Sequence, residues 1–109
     1  MKAHFVRASD VEPVEVSPGI RRRTLAYGER LMVVQFLISE GAELSLHSHP
    51  HEQISYIVSG ELEMRVGDQS YRLQPGDSLL LPSGVEHGGT ALRDTVVVDT
   101  FSPPREEYK

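Results

Sequence analysis

Apolar and polar positions along this chain follow strand patterns almost throughout. Leu62, Met64 and Val66 alternate with Glu61, Glu63 and Arg65, which gives one dry face and one wet face. Arg30 to Ile38 holds Leu31-Met32-Val33-Val34 and Phe36-Leu37-Ile38, an apolar run that predicts a buried strand. Gln53 to Ser59, Ser70 to Leu73, Leu79-Leu80-Leu81 and Thr95 to Phe101 predict further strands. Turn signals separate them at Ser59-Gly60, Gly67-Asp68 and Pro75-Gly76. No segment sustains a 3.6-residue period over about eleven positions, so any helix is short. Short strands with regularly spaced turns predict an all-β sandwich or barrel. Glu12-Pro13 and Ser17-Pro18-Gly19 set residues 1–19 apart as an N-terminal arm and leave residues 20–109 as one barrel domain.

Length and composition narrow the possibilities. A chain of 109 residues has room for one core. There is no cysteine, which removes disulfides and thiolate ligands and fits a reducing cytoplasm. Met1-Lys-Ala-His-Phe-Val-Arg lacks the apolar run of a signal peptide. No stretch approaches the roughly eighteen apolar residues of a membrane span. A net charge of −5 argues against nucleic acid as a partner. The one basic run, Arg21-Arg22-Arg23, reads as solvated strand residues.

The chemistry concentrates in two segments. Gly41-Ala-Glu-Leu-Ser-Leu-His47-Ser-His49-Pro-His51-Glu52-Gln53 is answered later by Gly76-Asp-Ser-Leu-Leu-Leu-Pro82-Ser-Gly84-Val-Glu-His87. On a strand, residues two apart point to the same side, so His47 and His49 can share one interior. Gln53 has the same parity and Glu52 the opposite one, although a bulge would exchange them. Neutral imidazole nitrogens with an amide oxygen suit a transition metal. Gly60, Gly76 and Gly84 fall at turns, and Pro82 fixes φ before the turn that aims His87 inward.

These segments resemble the two motifs of the cupin superfamily. Gly41, His47, His49 and Gly60 match the first, with Gln53 where Glu is usual. Gly76, Pro82, Gly84 and His87 match the second, with Ala91 in place of its final Asn. The resemblance implies a small double-stranded β-helix, or jelly-roll, barrel. It also implies one divalent metal (Zn, Ni, Fe, Cu or Mn) held by His47, His49, Gln53 and His87. Three imidazoles and an amide carry no formal charge, so the ion keeps its full Lewis acidity and attraction for anions. A neutral shell stabilises a trivalent ion less well, which weighs against oxygen chemistry that cycles iron. His51 shares the parity but has no place in the motif, and reads as a loop residue or one behind the ligands. His4, in the arm, has no partner.

A closer resemblance is to the small cupins of pectin and alginate degradation. It rests on His47-Ser-His-Pro-His-Glu-Gln-Ile-Ser-Tyr-Ile-Val-Ser-Gly60, on Val85-Glu-His-Gly88 and on Arg22-Arg-Thr-Leu-Ala-Tyr27. The C-terminal Asp99-Thr-Phe-Ser-Pro-Pro-Arg-Glu106 also matches, with Glu107 in place of a terminal Asp. That family converts 4,5-unsaturated uronates to the open-chain 5-keto-4-deoxy form. The implied partner is a small acidic sugar or other small carboxylate, and the implied catalytic residues are Asp99, Phe101 and Arg105. Asp99 would move a proton and Phe101 would wall the pocket. Arg105 would pair with a substrate carboxylate, or form an ion pair with Asp99 or Glu106. A non-catalytic metal-binding or small-acid-binding cupin and a cupin dioxygenase are the alternatives. Small cupins are commonly dimers, so a homodimer is expected, with the N-terminal arm available to a partner's sheet edge.

Overall fold

Alternation sorts the side chains of most strands into an inner and an outer set, and two sheets close over the inner one. The computed structural model describes residues 2–109; Met1, the first residue of the expected arm, lies outside the described residues. Among the described residues there are ten strands: β1 Val14–Ser17, β2 Ile20–Tyr27, β3 Met32–Ile38, β4 Glu43–His47, β5 Glu52–Ser59, β6 Leu62–Val66, β7 Gln69–Leu73, β8 Ser78–Leu81, β9 His87–Ala91 and β10 Thr95–Ser102. One sheet has the order β1-β2-β3-β10-β5-β8 and the other β4-β9-β6-β7. Every pairing is antiparallel. The only helical turns among the described residues are Ala8–Asp10 and Glu106–Tyr108, three residues each. None is long and apolar enough to cross a membrane. This is the all-β barrel expected from the alternation, in the jelly-roll form that the family resemblance implies.

The core lies between the sheets. Met32, Val34, Phe36 and Ile38 of β3 interleave with Val97 and Phe101 of β10, Ile57 of β5, and Leu62 and Met64 of β6. The apolar run expected over Arg30 to Ile38 starts two residues late. Leu31 is 58% exposed and belongs to the turn between β2 and β3, where its carbonyl accepts the N–H of Gly28. Part of the N-terminal arm joins its own sheet, with Val14 opposite Arg22 and Glu15 opposite Arg21. The basic run is also less solvated than its composition suggests. Arg23 donates to the Val11 carbonyl at 2.8 Å and to the Gln35 side chain at 3.1 Å. The Arg22 guanidinium lies 4.8 Å from the centre of the Tyr108 ring.

Register makes one end of the interior polar. Between β10 and β5, Val97 faces Ile57, Asp99 faces Ser55, and Phe101 faces Gln53. The inward set therefore changes from aliphatic to amide, hydroxyl and carboxyl within five residues of each strand.

Candidate metal centre

Backbone geometry brings the two histidine segments together. His47 ends β4 and His87 begins β9, and the two residues are direct cross-strand partners. Their ring centres are 4.4 Å apart. His49 departs from the expectation that it continues a strand with His47. It lies beyond the end of β4, because Pro50 has no N–H for a ladder. The loop is held from across the fold instead. Gly84 N–H donates to the His49 carbonyl at 2.9 Å, and the Ser83 hydroxyl donates to the Pro50 carbonyl at 2.5 Å. The turn at Pro82–Val85, closed by a 3.2 Å hydrogen bond, thus staples one segment to the other.

The result is a convergent cluster. One ring nitrogen from each of His47, His49 and His87 lies within 4.8 Å of the others. Each ring places its Nδ1 against a backbone carbonyl: His47 on Ser45 at 2.8 Å, His49 on His51 at 3.0 Å and His87 on Val85 at 3.0 Å. A carbonyl can only accept, so each Nδ1 carries the proton and each Nε2 presents a lone pair. That donor set fits a divalent metal. Burial pulls His87 down to about 4, and it also pulls His49 below the usual histidine range, with Arg105 adding to the effect. Both rings are therefore neutral near pH 7, as ligation requires.

Gln53, not Glu52, faces this cluster. It is buried, and its side-chain oxygen stands 3.0 Å from His49 Nε2, whereas Glu52 points outward. The amide nitrogen donates to the Ser55 hydroxyl at 3.1 Å, and Ser55 donates to Asp99 at 2.6 Å. Asp99 is buried, and burial pushes its carboxyl up to about 6; hydrogen bonds from Ser55 and Gln53 and the charge of Arg105 act the other way. It lies inward beside the cluster, with a pKa close to neutral pH.

His47, Gln53, Ser55, His87, Asp99, Phe101, Arg105 and Tyr108 all line one cavity of about 300 Å³. Phe101 is 1% exposed and sets its ring edge against His49 at 5.8 Å between centres, so it is both core and wall. Arg105 pairs with Glu107 at 3.0 Å, not with Asp99 or Glu106. Lys109 takes Glu106. The guanidinium of Arg105 also lies over the rings of Tyr108 and Phe101, at 4.4 and 5.4 Å from their centres. His51 stands behind His49 with its ring centre 5.4 Å away, and its Nδ1 is buried with no partner among the described residues. His4 is exposed in the arm. Sequence reasoning passed over two lining residues. Ser55 shares the parity of Gln53, which was a usable signal. Tyr108 is six residues past the last strand, and no pattern marked it.

A family model described as Cupin domain matches residues 34–100. The chain is similar to the pectin degradation protein KdgF of Dickeya dadantii, with 31% identity over 111 residues covering 99% of each chain. Among solved structures it is similar to KdgF from a Halomonas species, with a TM-score of 0.95 and 34% identity over 99% of this chain and 100% of that one. It is also similar to an RmlC-like cupin from Shewanella frigidimarina, with a TM-score of 0.93 and 34% identity over 99% and 97% of the two chains.

Proposed function

The chain belongs to the cupin domain family, and we propose that it is a pectin-degradation enzyme that converts 4,5-unsaturated uronates to the open-chain 5-keto-4-deoxy form. The full-length similarity to KdgF proteins supports the assignment. The observation that carries it is a cluster of three convergent imidazole nitrogens and an amide oxygen beside a cavity that a buried carboxyl group also lines.

His47, His49, Gln53 and His87 would hold one divalent transition metal. Bound there, the ion supplies Lewis acidity toward the substrate carboxylate and the oxygen beside it. In the reaction the C1 hydroxyl loses its proton as the bond between C1 and the ring oxygen breaks, which leaves an enol at C5. A proton then reaches C4 and the C5 oxygen becomes a ketone, so the conversion is an isomerisation with no co-reactant. Asp99 would carry that proton, a role its burial beside the histidine cluster supports. Phe101 and Tyr108 exclude water from one side of the cavity. Arg105 has its guanidinium held by Glu107 and stacked on two rings, which leaves it a preorganised partner for a substrate carboxylate.

The test is the rate at which the ultraviolet absorbance of the C4=C5 double bond disappears. Metal-loaded wild-type protein should accelerate it, and Asp99→Ala at saturating metal should lose about 10²–10⁴-fold. If loaded protein leaves the spontaneous rate of both pectin-derived and alginate-derived uronates unchanged, the enzyme reading fails and a small-acid-binding module takes its place.

The proposed assembly is a homodimer through the outer face of the six-stranded sheet. Ile54, Tyr56, Val58 and Leu80 are each about half exposed there, beside Val96 and Val98. Glu52 is the only charged residue among the outward positions of β5, β8 and β10. A solvated antiparallel face would be polar, and two acidic chains can meet on an uncharged one without repulsion. The proposed location is the cytoplasm, which a cysteine-free chain fits.

A further inference from the structure

At the polar end of β5 and β10 the side chains form a series with one consistent set of proton positions. His49 spends its Nδ1–H on the His51 carbonyl, so its Nε2 can only accept. That nitrogen faces the Gln53 side-chain oxygen at 3.0 Å, lone pair against lone pair. Turned over, the amide would give an N–H to His49 and accept the Ser55 hydroxyl, which would satisfy all three groups without any metal. The structure holds the other orientation, with the Gln53 nitrogen donating to Ser55 at 3.1 Å.

The reason lies one group further along. Ser55 has a single hydroxyl proton and gives it to the Asp99 carboxyl at 2.6 Å, a short bond of the kind a carboxylate makes. With that proton committed, the Ser55 oxygen can only accept, and of the two ends of the amide only the nitrogen can donate. The Gln53 oxygen is left facing His49, where a cation can bridge the two lone pairs. Ser55 is 2% exposed, so water has little access to take over either bond.

We propose that Ser55 is a positioning residue: by passing its hydroxyl proton to Asp99 it holds the Gln53 amide with its oxygen toward the metal position. The proposal rests on the reading of His47, His49, Gln53 and His87 as ligands. It also ties Asp99 to the ligand set, so the proton carrier and the metal site share one hydrogen-bond chain.

The test needs no substrate. Cobalt(II) affinity of the full chain is measured by competition with a chelator, read from the visible spectrum of the bound ion. Ser55→Ala should weaken binding by about 10–100-fold, the usual cost of losing a group that orients a ligand. Ser55→Thr keeps the hydroxyl and should stay within about threefold of wild type. In a Gln53→Glu background both terminal atoms are oxygens and nothing needs orienting, so Ser55→Ala should cost less than about threefold. If Ser55→Ala does not melt cooperatively, Ser55→Thr against Ser55→Val isolates the hydroxyl at matched shape, with the same losses expected. Equal losses in the Gln53 and Glu backgrounds, or no loss with Gln53, would overturn the proposal. A wild type that takes up no cobalt would overturn it together with the ligand reading. A wild type that binds cobalt but leaves uronates untouched fails only the enzyme reading.

Discussion

Three imidazoles in this site are fixed the same way, with Nδ1 on a carbonyl two residues away, so the lone pairs converge without help from one another. His87→Ala removes the most buried of the three. Elemental analysis should show bound metal falling from about one per chain to a small fraction after dialysis, because two imidazoles and an amide seldom retain a labile ion. Asp99 permits a pH test. A carboxyl raised to about 6 means that the native state binds the proton more tightly than the unfolded chain does. The stability linked to it is complete below the unfolded pKa near 4 and is lost as pH rises through 6. Asp99→Asn cannot ionise. In metal-free protein its melting temperature should therefore gain on the wild type as pH rises from about 4 to about 8, and an offset independent of pH would show that the carboxyl does not titrate as its burial dictates. Most of these residues were legible in the sequence, His47, His49, Gln53 and His87 by motif and Asp99 and Phe101 by the C-terminal resemblance. Ser55 carried only the parity it shares with Gln53, and a serine between two apolar strand residues gives no sign of what it touches.

At the scale of elements, turns decide whether the strands reach the site in register. Gly60 joins β5 to β6 at φ 89°, and a Cβ there would run into the Asp94 carbonyl and the Thr95 backbone and side chain. Gly76 has a similar φ of 93° with open space around it. Gly60→Ala should cost more than about 2 kcal/mol and Gly76→Ala only about 1, since the second bears backbone strain without collision. Thermal unfolding of both variants checks this, and similar losses would mean that packing around Gly60 yields easily. The turn glycines were visible from composition. The departure of His49 from β4 was not, since two-residue spacing reads as strand until Pro50 and the staple from Ser83 and Gly84 are seen together. Arg105 is a similar case. Asp99 and Glu106 were the expected ion-pair partners, and the short turn at Glu106–Tyr108 brings Glu107 to it instead.

For the whole molecule, the proposed dimer makes the outer sheet face the decisive surface. Wild-type protein should sediment as a dimer, and Tyr56→Glu should sediment as a monomer while keeping its metal, since β5 turns Tyr56 outward and Gln53 inward. One charge desolvated at an apolar contact costs several kcal/mol, enough to separate a standard-sized interface. A wild type that is monomeric at the highest soluble concentration would remove the assembly.

The sequence by itself determined an all-β barrel, a single core and the four candidate ligands, because two-residue alternation, turn glycines and histidine spacing are local properties of a chain. It also carried the family resemblance, which lies in contiguous motifs. Only the tertiary structure decided which lone pairs converge, that Asp99 is buried beside Ser55, that Arg105 goes to Glu107, and that Tyr108 returns to close the cavity wall. The Asp99–Ser55 contact and the place of Tyr108 depend on cross-strand register between β5 and β10 and on a tail that folds back across the barrel. Both are long-range contacts between segments about forty to eighty residues apart, which no local pattern encodes.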